Sequence, residues 1–98
     1  MMSIKFSGTY RPRRGKRADV EVHFLDGDLA GLRLCGFSVW MDEDGYSVRF
    51  PGRMYKVNGE QQLLTFLRPI SREPNAHLPL SQEILDAYGE WVRASGRG

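Results

Sequence analysis

Apolar and polar residues alternate along most of this chain, and the alternation gives way to a helical period near its end. Ile4 and Phe6 share a parity with Gly8 and Tyr10, while Lys5 and Ser7 take the other, the two-residue period of a strand. Ala18, Val20, Val22 and Phe24 then alternate with Asp19, Glu21 and His23, the cleanest strand pattern in the chain. Between the two runs lies "RPRRGK", whose Pro12 and Gly15 are turn residues. The pair reads as a hairpin with a long basic tip, the second strand taking over at Ala18.

Asp26-Gly27 signals the next turn, and a third strand is expected over about Leu29 to Met41. Its parity breaks. Leu32 and Leu34 fall on one side, and Phe37, Val39 and Met41 on the other. One extra residue near Cys35-Gly36, a β-bulge, would return both sets to a single face; otherwise both faces of this strand are partly covered. Asp44-Gly45 turns the chain into Tyr46, Val48 and Phe50, with Ser47 and Arg49 opposite, and Pro51-Gly52 ends that run. Asn58-Gly59 marks one more hairpin, and Pro69 bounds its second strand.

From Leu78 the period changes. Leu80, Ile84, Leu85, Tyr88, Trp91 and Val92 recur at spacings of three and four, the apolar stripe of an amphipathic helix. Pro79 suits its first turn, or Ser81 caps it. Strands first and one helix last give an α+β class: a small antiparallel sheet built from consecutive hairpins, with the C-terminal helix packed on one face. A length of 98 residues with no dividing linker points to a single domain, 1–98.

Charge divides the chain more sharply than its net value of +2 suggests. Six of the fourteen basic residues and none of the twelve acidic ones fall in residues 1–17, leaving eight basic and twelve acidic residues for the rest. Five of the seven residues from Arg11 to Arg17 are basic: Arg11, Arg13, Arg14, Lys16 and Arg17. Arginine makes bidentate contacts to phosphate, and a cluster of cations displaces counterions from a nucleic acid. The alternative is a solvated loop kept extended by its own repulsion. Arg49, Arg53, Lys56, Arg68 and Arg72 extend the positive surface if they share a sheet face or rim.

Other chemistry finds little purchase. His23, His77 and the single cysteine, Cys35, have no metal-ligand spacing, and one thiol forms no internal disulfide. Asp42, Glu43 and Asp44 lack the regular spacing of a calcium loop and sit where a hairpin turn belongs. No nucleophile elbow, P-loop or dinucleotide fingerprint is present. No cofactor and no small-molecule substrate are expected, and an enzyme ranks last among the readings. With no signal-peptide pattern and no apolar run of membrane-spanning length, the expected location is the cytoplasm.

The stretch "FSVWMDEDGYSVRFPGR" resembles the stage V sporulation protein G (SpoVG) family. The likeness rests on Phe37-x-Val39, Gly45, Tyr46-x-Val48, and Pro51 followed by Arg53. It continues through Gly59-Glu60, "FLRPI" with Pro69 and Ile70, and "EILDAY" with Ile84, Leu85 and Tyr88. It spans roughly residues 20–92. The loop "SREPNAHLP" is longer than the family's, and the basic run is denser. The resemblance implies a small sheet with a C-terminal helix, a homodimer, and a bacterial cytoplasmic regulator that binds DNA and in some members RNA. It also implies positive residues of the C-terminal half as contacts, here Arg53, with Arg68 and Arg72 beside it.

The leading expectation is therefore a non-catalytic, dimeric nucleic-acid-binding regulator. Arg11, Arg13, Arg14, Lys16 and Arg17 would form one patch, and Arg53, Arg68 and Arg72 a second. The rival is a protein-interaction module that offers an edge strand and aromatic anchors at Phe37, Trp40 or Tyr55.

Overall fold

A computed structural model describes residues 1–8, 14–72 and 75–96. Six strands precede one helix: β1 (Met2–Ser7), β2 (Lys16–Phe24), β3 (Arg33–Asp42), β4 (Gly45–Arg49), β5 (Gly52–Val57), β6 (Glu60–Thr65) and α1 (Leu78–Ser95). The first four strands form one antiparallel sheet in sequence order. The class is α+β, with the helix against β1 and β4.

The two-residue alternation of the sequence becomes the two faces of this sheet. Ala18, Val20 and Val22 of β2 and Phe37 and Val39 of β3 turn toward α1 and are closed to solvent with Ile84 and Tyr88. Ile4, Phe6, Leu34, Val48 and Phe50 surround them, half-buried. Phe6 stacks on Trp91 with centroids 5.4 Å apart, and Tyr46 meets Tyr88 at 5.6 Å. The helix stripe of Leu80, Ile84, Leu85, Tyr88, Trp91 and Val92 is the face that covers the sheet.

The break in parity on β3 is a bulge. Val20 pairs with Phe37 and Val22 with Leu34, so three steps on β3 answer two on β2. The extra residue falls at Cys35-Gly36, and Gly36 has φ 102°. A side chain there would meet Pro51, whose Cβ lies 2.9 Å from the position a Gly36 Cβ would take. The insertion returns Leu34 to the side of Phe37 and Val39, which lets all three face the core. A second irregularity follows nearer the start of β2. Lys16 pairs with Trp40 and Ala18 with Val39, which leaves Arg17 as the extra residue on β2.

Several boundaries differ from the sequence reading. β2 begins at Lys16 and not at Ala18, so Lys16 and Arg17 belong to the strand. The alternation could not show this, because β2 gains a residue at Arg17, and Lys16 and Arg17 are both basic. β3 begins at Arg33, and Leu29 and Leu32 lie in an exposed loop. That loop is closed by bonds from the Gly31 N–H to the Phe24 carbonyl and from the Phe24 N–H to the Leu32 carbonyl. α1 starts after His77, with Pro79 in its first turn, so Ser81 is inside the helix and caps nothing.

The last hairpin does not join the main sheet. β5 and β6 pair only with each other among the described strands. Asn58 (φ 52°) and Gly59 (φ 81°) make the tight turn that Asn-Gly announces. At the base, the Phe66 N–H donates to the Pro51 carbonyl at 2.8 Å. Gly52 passes so close to β6 that an added Cβ would lie 2.4 Å from the Leu64 carbonyl oxygen. We refer to this two-stranded element as the arm. Its strands pack chiefly on one another, and it leaves the chain with a radius of gyration of 14.6 Å. A compact chain of this length would have about 13 Å.

Candidate nucleic-acid interface

Of the eight arginines and lysines singled out by the sequence, the six described ones fall in two separate places. Arg11 and Arg13 lie outside the described residues. Arg14, Gly15 and Arg17 line an open cleft whose other wall is the β3–β4 turn, Met41, Asp42, Glu43 and Asp44. The two walls are tied at their root by the Met41 N–H, which donates to the Gly15 carbonyl at 2.8 Å. Arg17 reaches to 3.5 Å from the Met41 sulfur. Lys16 is not a free cation: its Nζ sits 2.7 Å from Asp19, and its side chain is only 18% exposed. Arg14 and Arg17 are thus flanked by Asp42, Glu43 and Asp44, which the linear sequence places more than twenty residues away.

Arg53, Arg68 and Arg72 are exposed and make no ion pair among the described residues. Arg53 is on β5, opposite Leu64. Arg68 follows the arm and lines a depression of about 200 Å³ with Phe50, Leu67, Pro69, His77 and Leu80. Arg14 and Arg17 lie beside the Gly45 end of β4 and Arg68 beside the Phe50 end. A five-residue strand separates them, roughly 17 Å at the usual rise.

The open face of the four-stranded sheet carries charges of both signs. Lys5 stands opposite Glu21, and Ser7 opposite Asp19. Glu21 takes His23 Nε2 at 2.9 Å and an Arg33 guanidinium nitrogen at 3.4 Å. The His23 hydrogen bond, with the Arg33 charge beside it, holds the Glu21 carboxyl below the usual glutamate range. On this face Asp19 and Glu21 are engaged by Lys16, His23 and Arg33, while Lys5 and Arg49 make no ion pair among the described residues. Arg49 is the one later cation that turns onto it. Its guanidinium carbon lies 3.7 Å from the centroid of the Trp40 ring, a cation–π contact. Trp40 Nε1 donates to Ser38 Oγ at 2.7 Å, which fixes the ring.

The aromatic anchors proposed for a protein contact sort differently. Phe37 is 1% exposed and belongs to the core, so it anchors nothing outside. Trp40 is half-buried beneath Arg49, while Tyr55 is exposed on the arm. The Trp40–Arg49 contact was missed because it is diagonal: Trp40 pairs with Ser47 and Arg49 with Ser38. The Asp44-Gly45 turn fixes that register, so the signal was present in the sequence.

Among the described residues, no three His, Cys, Asp or Glu side chains are grouped to hold a metal ion. No described helix is long and apolar enough to cross a membrane. No family model, curated protein or solved structure matches the chain.

Proposed function

We propose that this chain is a small, non-catalytic nucleic-acid-binding regulator of the cytoplasm, acting as a homodimer on DNA or RNA, as its resemblance to the SpoVG family implies. One observation carries the reading. Arg14 near one end of β4, Arg68 near the other, Arg53 on β5 and Arg72 beyond Arg68 are exposed arginines without ion-pair partners among the described residues. An arginine with no carboxylate partner keeps its fork of donors for an incoming phosphate. Arg11 and Arg13 precede Arg14 in the sequence and belong to the same basic run. Phosphate contacts position a protein without reading sequence, so the reading includes no target site.

Filter binding of short single-stranded and duplex DNA and RNA, over a salt series, tests the reading. Retention is expected at low salt and should fall steeply as salt rises. Loss of Arg13 and Arg14 together as alanines should weaken binding and flatten the slope. No retention of any probe by the wild-type chain at low salt rejects the function. An unchanged slope in the double variant removes the basic run from it.

A second reading, a protein-interaction module, draws on the arm, where Tyr55 and Met54 are exposed. A partner recovered with the chain after nuclease treatment would favour it.

A further inference from the structure

We propose that Trp40 and Arg49 form a stacking platform for an unpaired nucleobase, so that the open face of the four-stranded sheet takes a single strand in preference to a duplex. The proposal rests on the nucleic-acid reading above and names the form of nucleic acid that this face accepts.

The two side chains make a stack whose upper surface is open. The Arg49 guanidinium carbon lies 3.7 Å from the centroid of the Trp40 ring. At that height a guanidinium nitrogen turned into the ring would collide with it, so the planar group lies flat on the indole. Arg49 is exposed and makes no ion pair among the described residues. The layer beneath is held in place. Trp40 Nε1 donates to Ser38 Oγ at 2.7 Å. The Gly15 backbone passes the edge of the indole, where an added Cβ would lie 3.7 Å from Trp40 Cε3. On β4, Ser47 pairs with Trp40, and on β3, Ser38 pairs with Arg49. Both serines are short, so neither walls in the platform.

Charge around the platform suits a phosphodiester strand. Asp19 is engaged by Lys16, and Glu21 by His23 and Arg33. Lys5 shares the face and has no ion-pair partner among the described residues. Arg14 and Arg17 line the cleft at Met41, the residue after Trp40, with its carboxylates on the far wall. A strand whose base rests on Arg49 therefore runs beside cations that can hold its phosphates.

The stack discriminates between forms of nucleic acid. A duplex keeps its bases stacked on one another and offers a flat sheet only edges and phosphates. An unpaired base exposes its π-face, which stacks on guanidinium planes and aromatic rings. Every base has such a face, so the platform reads strandedness and not sequence. The sugar takes no part, and a DNA strand is a sufficient probe.

Fluorescence anisotropy of labelled oligo(dT), about twelve nucleotides long, against a duplex of equal length tests this. Trp40→Ala should weaken oligo(dT) binding about tenfold, the loss of one stacked base, and leave duplex binding unchanged. Its salt slope should stay that of the wild type, because no phosphate contact is removed. Arg49→Lys keeps the charge but loses the plane, and should weaken oligo(dT) binding severalfold at the same slope. A folded Trp40→Ala chain that binds oligo(dT) as the wild type does, or that loses both probes equally, overturns the platform and leaves the nucleic-acid reading standing. A wild type that binds neither probe at low salt rejects that reading and the platform with it. Should Trp40→Ala fail to fold by circular dichroism, photocrosslinking of the wild type to a strand carrying 5-iodouracil decides. An adduct mapped to Trp40 supports the platform; adducts only elsewhere, or none, overturn it.

Discussion

In the four-stranded sheet, Val20, Val22, Phe37 and Val39 lie beneath α1 and are closed to water. In the arm, Met54, Tyr55, Val57 and Leu63 stand on strands just as regular and are open to it. Both regions have an Asx-Gly turn, an antiparallel register and alternating side chains. The difference is in where the apolar residues fall. β2 puts them on one face, with charges on the other, so a single helix satisfies it. The arm puts them on both faces, and one helix cannot cover both. Alternation makes a strand; the sidedness of the alternation decides whether the chain can bury it alone.

The largest expected effect separates the two regions by stability. Phe37→Ala should cost about 3–5 kcal/mol, since it empties a fully buried site. Phe66→Ala in the arm, at 62% exposure, should cost less than about 1 kcal/mol at concentrations where the chain is monomeric. Urea midpoints compare them directly, and equal losses would erase the distinction between body and arm.

Two glycines sharpen the comparison by location. Gly36→Ala forces a residue with a Cβ to φ 102° and against Pro51, and should destabilise the body by about 1–3 kcal/mol. Gly52→Ala drives a methyl group onto the Leu64 carbonyl and should open the arm at its base. Amide hydrogen exchange should then quicken across β5 and β6 while β2 and β3 stay protected. Uniform loss of protection would show that arm and body unfold as one unit.

A smaller effect concerns the two arginine clusters. Glu43→Gln with Asp44→Asn removes two negative charges from the cleft beside Arg14 and Arg17. Nucleic-acid affinity should rise about threefold at low salt, the scale of an exposed ion pair, and the gain should fade as salt screens it. The same change should leave an arm-only contribution untouched. A gain that persists at high salt would not be electrostatic.

The smallest effect is on pH. The Glu21 carboxyl is held low in the folded chain by His23 and then Arg33, so its stabilisation is present above the unfolded value of 4.5 and is lost as pH falls through the lower folded value. Thermal unfolding of Glu21→Gln should therefore lose less stability than wild type as pH drops below about 4.5. Parallel curves would mean that the exposed pair contributes nothing measurable.

Much of this fold was legible in the chain. The bulge at Cys35-Gly36 was one of two ways out of a parity conflict, and the pairing of β2 with β3 selects it, since one inserted residue lets Leu34 share a face with Phe37 and Val39. The helix stripe and the turns at Asp44-Gly45 and Asn58-Gly59 were local and unambiguous. The independence of the arm was not legible, because alternation says nothing about which sheet a hairpin joins. The candidate site was less readable still. Arg14 and Arg17 looked unopposed in the sequence, and only the pairing of β2 with β3 brings Asp42, Glu43 and Asp44 across from them. Phe37 shared a parity with Val39 and was also offered as an outside anchor; its packing beneath α1 places it in the core.

The position of Trp40 gives the molecule a built-in optical division. The chain has two tryptophans. Trp91 stacks on Phe6 at the helix–sheet layer, while Trp40 lies on the opposite face of the sheet beneath Arg49. With Trp91 replaced by Phe, emission arises only from the open face and reports what approaches it. With Trp40 replaced by Phe, it arises only from the packed layer and reports the fold. Two single-tryptophan chains thus allow docking and melting to be followed as separate signals.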